Sequence, residues 1–235
     1  MRHAIAPPLA IFDLDGTLAD TAPDLIATLN VVLVEEGAPP VAREAARDLL
    51  GAGARALVVR GLALSGRQVD AAGLERLYAR FLIHYRAHIA DESRLFPGVE
   101  AALDGLAAAG WRLAVCTNKL EDLAIDVLKA LDVAGRFAVI CGQDTFREAD
   151  GRPIPKPDPR ALLMTIERAG GTPARTVMIG DSKTDIDAAR AAGVPVVAVD
   201  FGYTPVPVRE LSPDAAISHF DELIGAIDAV TRLAA

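Results

Sequence analysis

The residues with the clearest chemical potential are acids that end short apolar runs. Leu9-Ala10-Ile11-Phe12 leads into Asp13-Leu14-Asp15-Gly16-Thr17, so two carboxylates separated by one residue stand where a buried strand stops. Ligands of open α/β sheets bind beyond the carboxyl ends of the strands, and Gly16 permits a sharp turn there. Two close carboxylates repel unless a cation lies between them, which points to a hard divalent cation with oxygen ligands, Mg²⁺ first. A plain Asp-Gly turn is the alternative on these residues alone. Val177-Met178-Ile179-Gly180-Asp181 is a second strand end of this kind, with Asp185 four residues on and on the same side. Asp181 would complete a cation site begun by Asp13 and Asp15. Capping of the next helix by Asp181, Ser182 or Thr184 is the competing use, and Asp187 is read as a first-turn acid only.

Other stretches offer donors for an anion. Thr117-Asn118-Lys119 follows another apolar run and brings a hydroxyl and an amide to the start of a helix, a place that suits anionic oxygens or a simple cap. Lys156 lies in Pro155-Lys156-Pro157-Asp158-Pro159, where prolines restrict the backbone and make it a candidate to neutralise a phosphate. In Gly51-Ala52-Gly53-Ala54-Arg55 the glycines allow close backbone approach, the following helix opens with free N–H groups, and the Arg55 fork suits a carboxylate. An ordinary helix joint with Arg55 in solvent accounts for the same residues. His84 and His88 have metal-like spacing but no companions, and are read as solvated or stacked rings rather than a zinc site. Arg43, Arg47, Arg60 and Arg67 read as the charged face of helices.

The elements that must position these groups follow from periodicity. A helix opens at Pro23 and ends before Gly37, helices are expected at 42–50 and 54–64, and Leu74 to Tyr85 marks a longer one. No strand is expected between Thr21 and Ala90. Beyond Leu95, helices 99–109, 120–131, 159–169, 184–192 and 221–233 alternate with strands 113–117, 137–141, 176–179 and 194–199. The expected fold is α/β: a doubly wound, parallel-sheet, Rossmann-like core of residues 1–20 and 91–235, with a small α-helical cap of residues 21–90 inserted after the first strand.

Composition bounds the function. The 235 residues are 51% hydrophobic and carry a formal charge of −8, which disfavours nucleic acid or an anionic membrane as partner. No apolar run reaches the roughly 20 residues of a membrane span, and Met1 to Pro8 is too short and polar for a signal peptide, so a cytoplasmic location is expected. Cys116 and Cys141 sit inside apolar runs and read as buried thiols.

The four groups, Asp13-x-Asp15-Gly16-Thr17, Thr117-Asn118, Lys156 and Gly180-Asp181-Ser182-x-x-Asp185, occur in an order that resembles the haloacid dehalogenase superfamily of phosphotransferases across the whole chain. The helical insertion resembles that superfamily's first type of cap. Asp13-Leu14-Asp15-Gly16-Thr17-Leu18, Gly51 to Arg55, Thr117-Asn118-Lys119 and Gly202-Tyr203 are most similar to the phosphoglycolate phosphatase group.

The resemblance implies a Mg²⁺-dependent phosphomonoesterase acting on a small phosphorylated metabolite, as monomer or homodimer. It implies that Asp13 is the nucleophile and forms an aspartyl-phosphate, with Asp15 as the acid and base that serves the leaving alcohol and the attacking water. Mg²⁺ would be held by Asp13, Asp181 and the main-chain carbonyl of Asp15. Thr117, Asn118 and Lys156 would hold the phosphoryl oxygens, and Asp185 would orient Lys156 or a metal-bound water. Gly51, Gly53 and Arg55 are the expected specificity residues, suited to the carboxylate of 2-phosphoglycolate. Alternatives are a sugar-phosphate or nucleotide phosphatase, a phosphoglucomutase, or an idle phosphate-binding scaffold.

Overall fold

The computed structural model describes residues 6–42 and 49–233. Most of the expected helix 42–50, with Arg43 and Arg47, lies outside the described residues.

Strand β1, Leu9–Phe12, is buried along its whole length, and its alternation feeds two different cores. Ala10 and Phe12 face one, shared with the helices at 99–108, 121–130 and 223–233. Leu9 and Ile11 face the other, shared with those at 159–168 and 183–192. A strand apolar on both faces can satisfy that pattern only in the middle of a covered sheet. There it lies. The sheet runs β5-β4-β1-β6-β7-β8, with β4 at Arg112–Cys116, β5 at Val139–Cys141, β6 at Thr176–Gly180, β7 at Val196–Val199 and β8 at Ala215–Ile217, and every pairing is parallel. Ile11 aligns with Ala114 and Met178, so the ends of β4 and β6 flank the end of β1. Cys116 and Cys141 are register partners on β4 and β5, and both are buried free thiols.

Between the strand end and the second half of the sheet stand three described helices, α1 (Ala22–Glu35), α2 (Ala54–Leu64) and α3 (Ala71–Ala87). They share an apolar cluster of their own, including Leu29, Leu33, Leu57, Phe81 and Tyr85, into which only Leu123 and Tyr203 reach from the sheet side as buried members. Helices α4 (Val99–Ala108), α5 (Glu121–Ala130), α6 (Pro159–Arg168), α7 (Lys183–Ala192) and α8 (Leu223–Leu233) cover the sheet.

Two strands were not expected beyond β8. β2 (Ala19–Asp20) and β3 (Arg94–Leu95) pair antiparallel where the chain leaves the sheet region for the helical block and where it returns. Next to them, Asp24 of α1 accepts the backbone N–H groups of Glu92 and Ser93 and the Ser93 hydroxyl, which ties the two crossings together.

Candidate active site

Three of the expected acids converge because β1 and β6 are paired and end side by side, Asp13 following the one and Asp181 and Asp185 the other. Asp13, Asp181 and Asp185, all buried, each offer a carboxylate oxygen, and these oxygens lie within 4.8 Å of one another. Asp13 leaves β1 with its N–H donating to the Ile179 carbonyl (2.9 Å) while its Oδ1 accepts from Leu14 N–H (2.7 Å). Asp181 Oδ2 accepts from Tyr203 N–H (2.7 Å), and Oδ1 lies 3.4 Å from the Thr17 hydroxyl, which donates to it. Space for Asp181 is made by two glycines. A Cβ on Gly202 would overlap the Asp181 side chain, and one on Gly16, whose φ of +83° also favours glycine, would meet its carboxylate.

Lys156 is the counter-charge of this group. Its ammonium lies 2.5 Å from Asp185 Oδ1 and 3.1 Å from Asp13 Oδ1, with only 1% of the side chain exposed. Asp185 is held from behind by Ser182, whose N–H and hydroxyl donate to Oδ2. Burial alone would lower the Lys156 ammonium, but Asp13 and Asp185 outweigh it and raise it above its ordinary value. One ammonium does not neutralise three acids. Burial pushes the Asp13 carboxyl up to about 6 despite Lys156, and burial, reinforced by Asp185 and Asp13, raises Asp181 well above the usual carboxylate range. Excess buried negative charge on oxygen donors suits a hard divalent cation, so the residues fit Mg²⁺.

Asp15 stands apart. Its carboxylate turns to Lys119, whose ammonium donates to both oxygens at 2.8 and 2.9 Å, and to the Thr21 hydroxyl at 2.6 Å, so the side chain takes no place in the three-acid group. The expectation that the Asp13 and Asp15 carboxylates begin the cation site together is corrected accordingly, because Lys119 takes up the Asp15 carboxylate; the family resemblance gave Asp15 a share through its main-chain carbonyl. Lys119 received no role from the sequence. The signal available was its position after Thr117-Asn118 at a strand end, followed at once by the apolar Leu120. Thr117 lies at the end of β4 with its N–H on the Cys141 carbonyl, and Asn118 donates its amide to the Lys156 carbonyl (3.0 Å), fixing the lysine loop. The Asn118 Oδ1 is buried without a hydrogen-bond partner.

A cavity opens above these groups. The sheet side supplies Asp13, Asp15, Thr117, Asn118 and Lys119; the helical block supplies Leu25, Leu50, Gly51, Gly53, Ala54, Leu57 and Tyr85. Gly53 is packed so closely that a Cβ would lie 3.2 Å from the Asn118 carbonyl oxygen, and its φ is +84°. Gly51 and Gly53 thus both line this cavity.

Arg55 does not. It is absent from the cavity lining, pairs with Glu75 of α3 at 2.5 Å, and lies over the Tyr78 ring with about half of its side chain exposed. Ala54 and Leu57 face the cavity, three residues apart, and the residue after Ala54 is turned about 100° away on a helix. The expectation that Arg55 reads a substrate carboxylate is corrected accordingly. Arg55→Ala is expected to change kcat/KM for any phosphate ester less than about threefold, because an exposed pair contributes ~1 kcal/mol at most to stability. Steady-state kinetics on 2-phosphoglycolate check this, and a tenfold rise in KM would restore Arg55 to the site. His84 and His88 stack at 4.5 Å, with His84 on the Thr28 hydroxyl and His88 on Asp91.

Comparison with known proteins agrees with this geometry. A family model described as haloacid dehalogenase-like hydrolase matches residues 10–199. A protein of Agrobacterium fabrum named phosphoglycolate phosphatase is 48% identical over 220 residues, covering 94% of this chain and 92% of its own. One of Caulobacter vibrioides with the same name is 46% identical over 218 residues, covering 93% and 90%. A crystal structure described as a predicted phosphoglycolate phosphatase from Haemophilus somnus 129PT superposes with a TM-score of 0.86 at 28% identity, over 94% of this chain and 97% of that one. The chain belongs to the haloacid dehalogenase-like hydrolase family, and to its phosphoglycolate phosphatase-like group.

Proposed function

We propose that the protein is a Mg²⁺-dependent phosphomonoesterase that hydrolyses 2-phosphoglycolate to glycolate and phosphate, with the helical block of residues 21–90 acting as the cap over its active site. The observation that carries this reading is the gathering of Asp181 and Lys156 around Asp13, which together with Asp15 lines one cavity. The names of the relatives support the substrate.

Asp13 Oδ1 takes both the Leu14 N–H and the Lys156 ammonium, which leaves Oδ2 to attack phosphorus. As the Asp13–phosphorus bond forms, the bond from phosphorus to the glycolate oxygen breaks, and Asp15 gives that oxygen its proton. In the second displacement water attacks phosphorus, Asp15 takes the water's proton, and the bond to Asp13 breaks to restore the carboxylate. Thr117, Asn118 and Lys156 donate to the oxygens on which charge is spread. Asp185 holds the Lys156 ammonium in line with Asp13. Asp13, Asp181 and the Asp15 carbonyl would hold Mg²⁺, which when bound would neutralise charge between nucleophile and phosphate.

Phosphate release from 2-phosphoglycolate is expected with Mg²⁺ and not in excess EDTA; full activity in EDTA overturns the metal dependence. A second readout needs no substrate. Burial raises the folded-state value of Asp13 to about 6, above the 3.8 of an ordinary carboxyl, so its stabilising protonated form persists below about pH 4 and is lost as pH rises through about 6. In metal-free protein this costs about 3 kcal/mol by neutral pH. Mg²⁺ competes with that proton. At about a hundred times its dissociation constant it is expected to raise Tm by about 5–10 °C at pH 7.5 and by clearly less at pH 5. An equal shift at both pH values would count against Asp13 as a ligand.

A further inference from the structure

We propose that Lys119 is the residue that recognises the substrate's second anionic group, exchanging its present partner, the Asp15 carboxylate, for the carboxylate of the substrate. The inference rests on the phosphatase reading above and names how its specificity arises.

Among the described residues lining the cavity, Lys119 is the only one with a positive charge. The helical block contributes leucines, glycines, an alanine and Tyr85 from its described part, none of them cationic, and Arg55 is turned away. An acidic substrate entering here meets one ammonium, and that ammonium is already prepared to bind a carboxylate. It spans both oxygens of Asp15 at 2.8 and 2.9 Å, with only 5% of the side chain exposed. Tyr85 limits its movement: the ammonium lies 4.9 Å from the centre of that ring, a cation–π arrangement that favours the charge where it is. Ala54, the first residue of α2, lines the same cavity, so the opening N–H groups of that helix add to the attraction for an anion.

The exchange has a consequence for chemistry. While Lys119 occupies both Asp15 oxygens, neither is open to a leaving-group oxygen. A substrate carboxylate that draws the ammonium away leaves Asp15 on the Thr21 hydroxyl alone, 2.6 Å from Oδ1, with Oδ2 free. A phosphate ester without a second anion has nothing to offer Lys119 in place of Asp15. Recognition of the acid and readiness of Asp15 are then one event, and the discrimination falls on kcat as well as KM.

The test compares 2-phosphoglycolate with ethyl phosphate, which has the same carbon count and no carboxylate. In the unaltered enzyme the ratio of their kcat/KM values is expected to be on the order of 10² or more, the scale of a charge-assisted bond, and to include a difference in kcat. A ratio below tenfold overturns the proposal. In Lys119→Met the ratio is expected to collapse toward unity, and in Lys119→Arg to be largely kept. Partial misfolding scales both rates alike and leaves the ratio intact, so loss without a change of ratio means that Lys119 only supports Asp15 and the proposal fails. Phosphate release from neither ester by the unaltered enzyme would instead overturn the phosphatase reading, and this inference with it.

Discussion

Asp13→Asn is expected to be inactive, with kcat on 2-phosphoglycolate down by about 10⁴-fold or more, and yet at least as stable as the parent without metal. The amide fills the same space and still accepts from Leu14 N–H through its carbonyl oxygen, but it is too weak a nucleophile to displace an alkoxide from phosphorus. Its stability follows from the site's electrostatics. Asp13 is a carboxylate whose burial pushes it to about 6, so at pH 7.5 its charge is maintained against desolvation, and a neutral side chain relieves that cost. Rapid quench or steady-state phosphate release measures the first half; thermal melting in EDTA measures the second. Turnover within tenfold of the parent would remove Asp13 as nucleophile. A marked fall in metal-free Tm would show that its charge, through Lys156, holds the fold together.

The second large effect is expected at Lys156→Met. Lys156 lies between Asp13 and Asp185, at 3.1 and 2.5 Å, in a group that also contains Asp181. Removing the cation leaves buried acids uncompensated, which costs about 3–5 kcal/mol when one partner of a buried pair is lost. At this chain length that corresponds to a Tm lower by roughly 6–20 °C. Loss of the donor to the phosphoryl group is expected to lower kcat a further 10²- to 10³-fold at saturating Mg²⁺. Because Mg²⁺ also neutralises the acids, it is expected to recover more Tm in Lys156→Met than in the parent. An unchanged metal-free Tm would mean that the acids are protonated together and need no ammonium.

The placement of the strand-end residues was legible because it coincides with the strongest local signals in the chain. Each of β1, β4 and β6 is a short apolar run that stops at a polar turn, and a parallel sheet places such ends at one level, so Asp13, Thr117 and Asp181 could be brought together before any coordinates. Helices α2 and α3 of the helical block followed from periodicity. What remained hidden depends on orientation or on backbone atoms. Arg55 was attractive because it adjoins Gly53 in the chain, but one residue on a helix turns the side chain out of the cavity, and a sequence does not say which turn faces inward. Lys119 was given no role by the sequence beyond its place after Thr117-Asn118. Its burial depends on Asp15, more than a hundred residues away in the chain. The Tyr203 N–H that holds Asp181 is a main-chain group, carried by no residue type in particular. Strands β2 and β3 have two residues each, too short to show any alternation, and the Ala215-Ala216 start of β8 carries little of the β-branched signal expected of a strand.

The small ribbon of β2 and β3 has a consequence for how the chain reaches its fold. β1 must find β4 across the whole helical block, a pairing of high sequence separation and therefore slow to form by chance contact. Asp20 and Arg94 are register partners, however, and the Asp24 contacts to Glu92 and Ser93 join the same two crossings. Once α1 and α3 pack and these two ends meet, the loop between β1 and β4 shortens severalfold, which lowers the entropy of closing it by about 1 kcal/mol. The helices inserted into the sheet thus bring its two halves together, and an order of assembly in which the block collapses ahead of the central strands is the economical one for this topology.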